Sequence, residues 1–218
     1  MIINHENREY RRRWNLAGDD KYNGAYYYSR EICKNIIPNI DTNRHWVTIN
    51  VQGMCYDHSI VFIHNNLYPE LYDWLADFDD LVLVCGVPET CEKVAHLGKA
   101  IYLPLSIDTK YVKSFRVQPY EHMKLNAFAG RAEKAKKYYA KLPEGIDYLA
   151  GLPRPELLQS MARYKNIYAV GRTAIEAKCL GCKIKAYDER YPKVSMWKVV
   201  DNLEAAEMLQ KMLDEIDG

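Results

Sequence analysis

The sequence predicts an α/β protein built on parallel sheets, and three observations carry that prediction. Short, continuously apolar, β-forming runs recur along the chain, longer stretches with helical spacing lie between them, and the alternation repeats after a break near residues 107–123. Strands buried on both faces read as continuous apolar runs, and strand–helix alternation implies parallel pairing through right-handed crossovers.

In the first half the strands are HWVTINV (45–51), SIVFIHN (59–65), DLVLVCG (80–86) and AIYLPLS (100–106). Between them, 68–78 places Leu71, Trp74, Leu75 and Phe78 at helical spacing, and 88–98 opens on Pro88 and stops at Gly98. In the second half, strands at 124–130, 146–151, 166–171 and 182–188 alternate with helices at 131–141, 154–164 and 173–181. The segment 25–40 reads as helical up to Pro38, and 203–216 as an amphipathic terminal helix. Residues 1–24 carry no readable pattern. The expected architecture is a small pair of Rossmann-like domains whose parallel sheets face across a cleft, with a single continuous sheet as the competitor. Residues 1–112 would form the first domain, 113–202 the second, and 203–218 a helix packing back on the first.

Bulk properties narrow the class. Apolar residues make up 48% and charged residues 27% of the 218, which is a globular composition. No apolar run reaches the roughly 18 residues of a membrane helix, and the polar start, MIINHENREYRRRWN, lacks a signal-peptide core, so a cytoplasmic protein is expected. Residues 1–110 carry a net charge of −4 and residues 111–218 a net of +5, which makes the second half the better home for an anionic ligand. The six cysteines read as reduced core residues, although Cys179 and Cys182 stand at C-x-x-C spacing. Without a second such pair they are a poor zinc site, and no metal requirement is evident. The 18 tyrosines suit half-buried surfaces as readily as sugar or base contacts.

Ligands of open parallel sheets sit beyond the carboxyl ends of the strands, which directs attention to four strand-to-helix corners. AFAGRAEKAKK supplies Gly130, then Arg131 and Lys136, cations placed to meet a diphosphate near a helix start. YLAGLPRPELL supplies Gly151 before a proline-bounded helix. AVGRTAIEAKCLGCKI supplies Gly171, Arg172, Thr173 and Glu176. There T-x-x-E fits a capping box, while the carboxylate also suits the vicinal hydroxyls of ribose. FIHNNLYPE supplies His64, Asn65 and Asn66, which read equally as turn residues or as an acceptor-side cluster. Neither a Walker loop nor a G-x-G-x-x-G fingerprint is present.

In order and spacing these corners resemble the donor-binding half of GT-B-fold glycosyltransferases, in a short, glycosyltransferase family 4-like form. In that family G-R-x-x-x-x-K holds the donor diphosphate, and here Gly130, Arg131 and Lys136 match it. The later G-x-T-x-x-E-A is matched by Gly171, Thr173, Glu176 and Ala177, with Gly181 at the following turn. Residues 103–112 are similar to the segment that hands one domain to the next, and VFIHNNL to the strand whose His reaches the transferred sugar. The resemblance spans roughly residues 55–190.

It implies transfer of a sugar, hexosyltransferase-like, from a nucleotide-diphospho sugar, with UDP first among the nucleotides. Arg131 and Lys136 would stabilise the leaving diphosphate, Glu176 would bind ribose, and His64 or Asp57 would serve as a base. No tightly bound cofactor is implied, and the donor is itself the small-molecule partner. Where many retaining members carry a second Glu, eight positions before the ribose Glu, this chain has Tyr168. That leaves stereochemistry open and keeps a non-catalytic nucleotide-binding protein as an alternative. A nucleic-acid-modifying transferase rests only on REYRRRW (8–14), and the overall charge does not favour nucleic acid. The acceptor and any homodimer are left open. On this reading Glu176→Ala weakens nucleotide binding with little loss of fold.

Overall fold

A computed structural model of the chain describes residues 2–3, 24–48, 54–64, 68–117, 124–191 and 193–218. It is a mixed α/β structure with two parallel sheets and flanking helices, compatible with Rossmann-like domains. The described residues divide into two units, one holding Ala25–Pro104 with Asn202–Gly218, the other Leu105–Asp201. The division at 104/105 lies ahead of the expected break. The weakly periodic stretch after it includes a short helix, α3 (Thr109–Lys113), capped by Asp108, whose side chain accepts the Tyr111 amide at 2.8 Å.

In the first unit, β1 (Ile2–Ile3), β2 (His45–Val47), β3 (Ser59–Ile63), β4 (Val82–Cys85) and β5 (Lys99–Tyr102) pair in chain order, all parallel. Every residue of β3 and β4 is buried, which is why their runs are continuously apolar. Helix α1 (Gly24–Glu31) widens into a π turn over Ile32–Ile36 and tightens into a 3₁₀ turn containing Pro38. Residues Pro69–Asp77, expected as an α-helix, form a 3₁₀ helix instead. The reason lies in the spacing of what is buried. Pro69, Tyr72 and Leu75 face the core at intervals of three, which is the 3₁₀ repeat, while Leu71 is exposed. Helix α2 (Pro88–Val94) follows β4.

The terminal helix, here labelled α7 (Asn202–Asp217), belongs to this first unit. It buries Ala205, Ala206, Leu209 and Leu213 along one face and packs on the π turn. Polar contacts fix both ends. Asn202 donates to the buried Glu31 carboxylate at 3.0 Å, and the Arg44 guanidinium grips Asp217 at 2.5 Å while donating to the Asp80 carbonyl at 2.9 Å.

The second unit has a different strand order. Its strands are β6 (Lys124–Phe128), β7 (Asp147–Tyr148), β8 (Tyr164–Tyr168) and β9 (Lys183–Lys185), arranged β7-β6-β8-β9 and all parallel. Its helices are α3, α4 (Ala132–Lys137), α5 (Arg154–Met161) and α6 (Arg172–Cys179). The main core gathers Ala127, Ile167, Leu158, Met161 and Ile175. A smaller cluster joins Phe128, Tyr138, Ile146 and Tyr187. Among the described residues no helix is long and apolar enough to cross a membrane.

Candidate functional site

Strand order indicates where a candidate site can form. From β6 the chain steps outward to β7, then crosses back over β6 to β8 and continues to β9. The direction of winding therefore reverses between β6 and β8, and such a reversal opens a crevice at the carboxyl ends of the two strands. In the first unit the described strands follow one another in order, so no reversal occurs among them.

Three of the four corners surround the reversal in the second unit. Phe128 pairs with Tyr168 at the strand ends, and the Ala129 amide donates to the Tyr168 carbonyl at 3.1 Å, holding the exits of β6 and β8 side by side. Gly130 and Arg131 leave β6 there, and Gly171 and Arg172 leave β8. The exit of β7 is tied in by the Leu149 amide, which donates to the Phe128 carbonyl at 2.8 Å and brings Gly151 to the same end of the sheet.

Arg131 is the N-cap of α4 and Lys136 lies on that helix, both exposed. Lys134 beside them is half-buried, and burial lowers its pKa. Behind them is a rigid support. Asp188 is buried and receives two Arg190 nitrogens at 2.8 and 2.7 Å and the Tyr138 hydroxyl at 3.1 Å. Burial pushes the Asp188 carboxyl up, but the arginine hydrogen bonds outweigh it and hold the pKa at about 2.

The third corner departs from its sequence reading. Helix α6 starts at Arg172 with Gly171 as N-cap and no side-chain cap, so Thr173 is the second helical residue and the expected capping box does not form. Glu176 is instead fully buried between two arginines. Arg154 Nε and Nη2 lie 3.1 and 3.0 Å from its Oε1, and Arg172 Nε lies 3.1 Å from the same oxygen. Gly171 has φ +62° and ψ −142°, a conformation nearly restricted to glycine. A Cβ built there meets nothing within 4 Å, so the cost of Gly171→Ala is one of backbone strain. It is expected to destabilise the protein by about 1–3 kcal/mol, read as a lower urea midpoint at unchanged m-value.

The fourth corner lies in the first unit. His64 follows β3, is half-buried, and packs edge-on against Tyr28 with centroids 5.6 Å apart. Its Nε2–H donates to the Thr48 carbonyl, which leaves Nδ1 as the acceptor nitrogen. Thr48 also accepts from the Ser29 hydroxyl at 2.9 Å. Desolvation lowers the His64 pKa to about 4, only partly offset by the Thr48 carbonyl, so the ring is neutral at pH 7. Asn65 and Asn66 lie outside the described residues, as does the basic run 8–14. Asp57 precedes β3 and accepts the Asp79 amide at 2.8 Å, so it serves a turn at the opposite end of the strand from His64.

A folded-state pKa below the ordinary His value means that the unfolded chain binds the proton more readily. Stability from His64 is therefore complete above about pH 6.5 and lost as pH falls toward 4. The expected loss is about 2 kcal/mol, less than the full shift would give because the ring is partly open to solvent. His64→Gln should flatten the pH dependence of the urea midpoint across that window.

The C-x-x-C pair is structural. Cys179 closes α6 and Cys182 precedes β9, both buried, and burial pushes the Cys182 thiol up to about 12. Cys182 donates to the Met161 carbonyl at 3.4 Å. Among the described residues no group of three or more His, Cys, Asp or Glu is placed to hold a metal ion.

Sequence reasoning missed Arg154 and the Asp188–Arg190–Tyr138 support. Arg154 sits within the quoted second corner, but nothing local in GLPRPELL signals a partner 22 residues away.

These features define an α/β protein with a reversal of strand order and basic, glycine-turned corners at the carboxyl ends of the reversed strands. No family model and no curated protein sequence matches the chain.

Proposed function

We propose that the chain is a glycosyltransferase that binds a nucleotide-diphospho sugar, a UDP-sugar first among them, at the β6/β8 crevice of its second unit and moves the sugar to an acceptor. The observation that carries this reading is the strand reversal itself. It puts Gly130–Arg131 and Gly171–Arg172, read separately from the sequence, at the ends of adjacent paired strands. The leaving group would be a nucleoside diphosphate, whose developing charge is the main thing to stabilise. Arg131 and Lys136, exposed and free of a core role, supply cations for it. His64, neutral with Nδ1 as acceptor, has the chemistry to take an acceptor proton or a hydrogen bond from a sugar hydroxyl. The reading places the protein in the cytoplasm, where nucleotide sugars are available, and needs no bound metal.

A second reading, nucleotide binding without turnover, is favoured by Glu176, whose Oε1 is engaged by two arginines, and by Tyr168 at the position of the family's second acid. A thermal-shift screen against UDP-, GDP-, ADP- and CMP-sugars tests the shared premise. Stabilisation by one of them is expected, and stabilisation by none removes both readings. Release of free sugar or its transfer from the stabilising donor separates the enzyme from the binder.

A further inference from the structure

We infer that Tyr148 is the stacking platform for the nucleobase of the ligand at the carboxyl ends of β6 and β8. This rests on the nucleotide reading and assigns the base end of its site. The first observation is register. Phe128 pairs with Tyr148 on one side and with Tyr168 on the other, so three paired strands each end on an aromatic residue. Paired residues of parallel neighbours share a face of the sheet, so the three rings form a row across its end. Tyr187, after β9, joins them. Its ring meets Phe128 edge-on with centroids 5.1 Å apart, and Tyr138 backs it at 5.4 Å.

The second observation is a break in burial along that row. Phe128 is 0% and Tyr187 5% exposed, Tyr168 is half-buried, and Tyr148, on the edge strand, is 43% exposed. The Tyr148 and Phe128 centroids are 6.0 Å apart with the rings tilted by 48°, so a buried ring props the exposed one. The third observation is location. The Leu149 amide donates to the Phe128 carbonyl at 2.8 Å, which sets Tyr148 beside the exit of β6, where Gly130 and Arg131 follow. A Cβ built on Gly130 would lie 3.0 Å from Phe128 Cζ, so the turn that carries Arg131 rests directly on the row. The exits of neighbouring strands are about 4.8 Å apart, a gap that the ribose of one nucleotide bridges between its diphosphate and its base. An exposed tyrosine ring on a fixed backing suits this role, because every base has a π face to stack on it.

The test is calorimetric titration of the tightest binder among UDP, GDP, ADP and CDP, of ribose 5-diphosphate as its base-free counterpart, and of inorganic pyrophosphate. Wild type is expected to prefer the nucleotide to ribose 5-diphosphate. Tyr148→Leu keeps apolar volume but loses the ring, and should weaken nucleotide binding about tenfold while leaving both base-free probes at their wild-type affinity. Tyr148→Phe keeps the ring and should bind all three probes as wild type does. The platform is overturned, with the nucleotide reading left standing, if Tyr148→Leu binds the nucleotide as wild type does, if it weakens all three probes alike, or if Tyr148→Phe loses as much as Tyr148→Leu. Wild type that binds the nucleotide no tighter than ribose 5-diphosphate also removes the platform and leaves the diphosphate site. Wild type that binds none of the nucleotides refutes the nucleotide reading and the platform with it.

Discussion

Glu176→Ala is expected to lower the unfolding free energy by about 3–5 kcal/mol, the range for removing one partner of a buried ionic group. Its carboxylate is fully buried, and its loss would remove the acceptor that Arg154 and Arg172 share. The sequence alone leads to the opposite expectation, that the substitution spares the fold, because a ribose ligand at a cleft would be exposed. Urea denaturation at pH 7 distinguishes the two outcomes. Glu176→Gln, which keeps the acceptor oxygen and the volume, should cost clearly less.

The second large effect concerns binding. Arg131→Ala combined with Lys136→Ala is expected to weaken nucleoside diphosphate binding by about a hundredfold, since each charge-assisted hydrogen bond contributes roughly 1.5–3 kcal/mol. Both side chains are exposed, so the double variant should melt with the wild type to within about 1 °C. Titration calorimetry gives the affinity and a thermal scan gives the fold control. An unchanged affinity would mean that these cations are only a solvated helix face.

The two effects differ in kind because of where the charges sit. Arg131 and Lys136 can act on a ligand and contribute little to the fold. Glu176 is engaged by Arg154 and Arg172 inside the fold, so a change there must be read with a probe that separates binding from stability. The Asp188–Arg190–Tyr138 group belongs to neither set. It ties the end of α4, through the Tyr138 hydroxyl, to Asp188, whose pKa the Arg190 hydrogen bonds hold at about 2.

The strands were legible where burial dictates composition. SIVFI and VLVC are apolar throughout because both faces of β3 and β4 are covered. Ile2–Ile3 was not, since two residues show no period. The 3₁₀ helix at Pro69–Asp77 escaped because a repeat of three over nine residues resembles the 3.6 repeat of an α-helix. The corners were legible as glycine and charge after an apolar run. Their gathering was not, because the outward step to β7 leaves no local mark; it appears in the pairing of Ala127 with both Asp147 and Ile167 and of Phe128 with both Tyr148 and Tyr168. The capping-box pattern at Thr173–Glu176 misled for a related reason. The motif is short, and the carboxylate is instead engaged by Arg154 from another helix and by Arg172 from its own.

The location of the ligand tests the central claim most directly. Amide ¹H–¹⁵N spectra titrated with the best-binding nucleoside diphosphate should show their largest shifts at Gly130, Arg131, Gly151, Gly171 and Arg172, all at the carboxyl ends of β6, β7 and β8. Saturable shifts confined to Lys124, Asp147 and Tyr164, which mark the amino ends of the same strands, would contradict it, as would the absence of any shift.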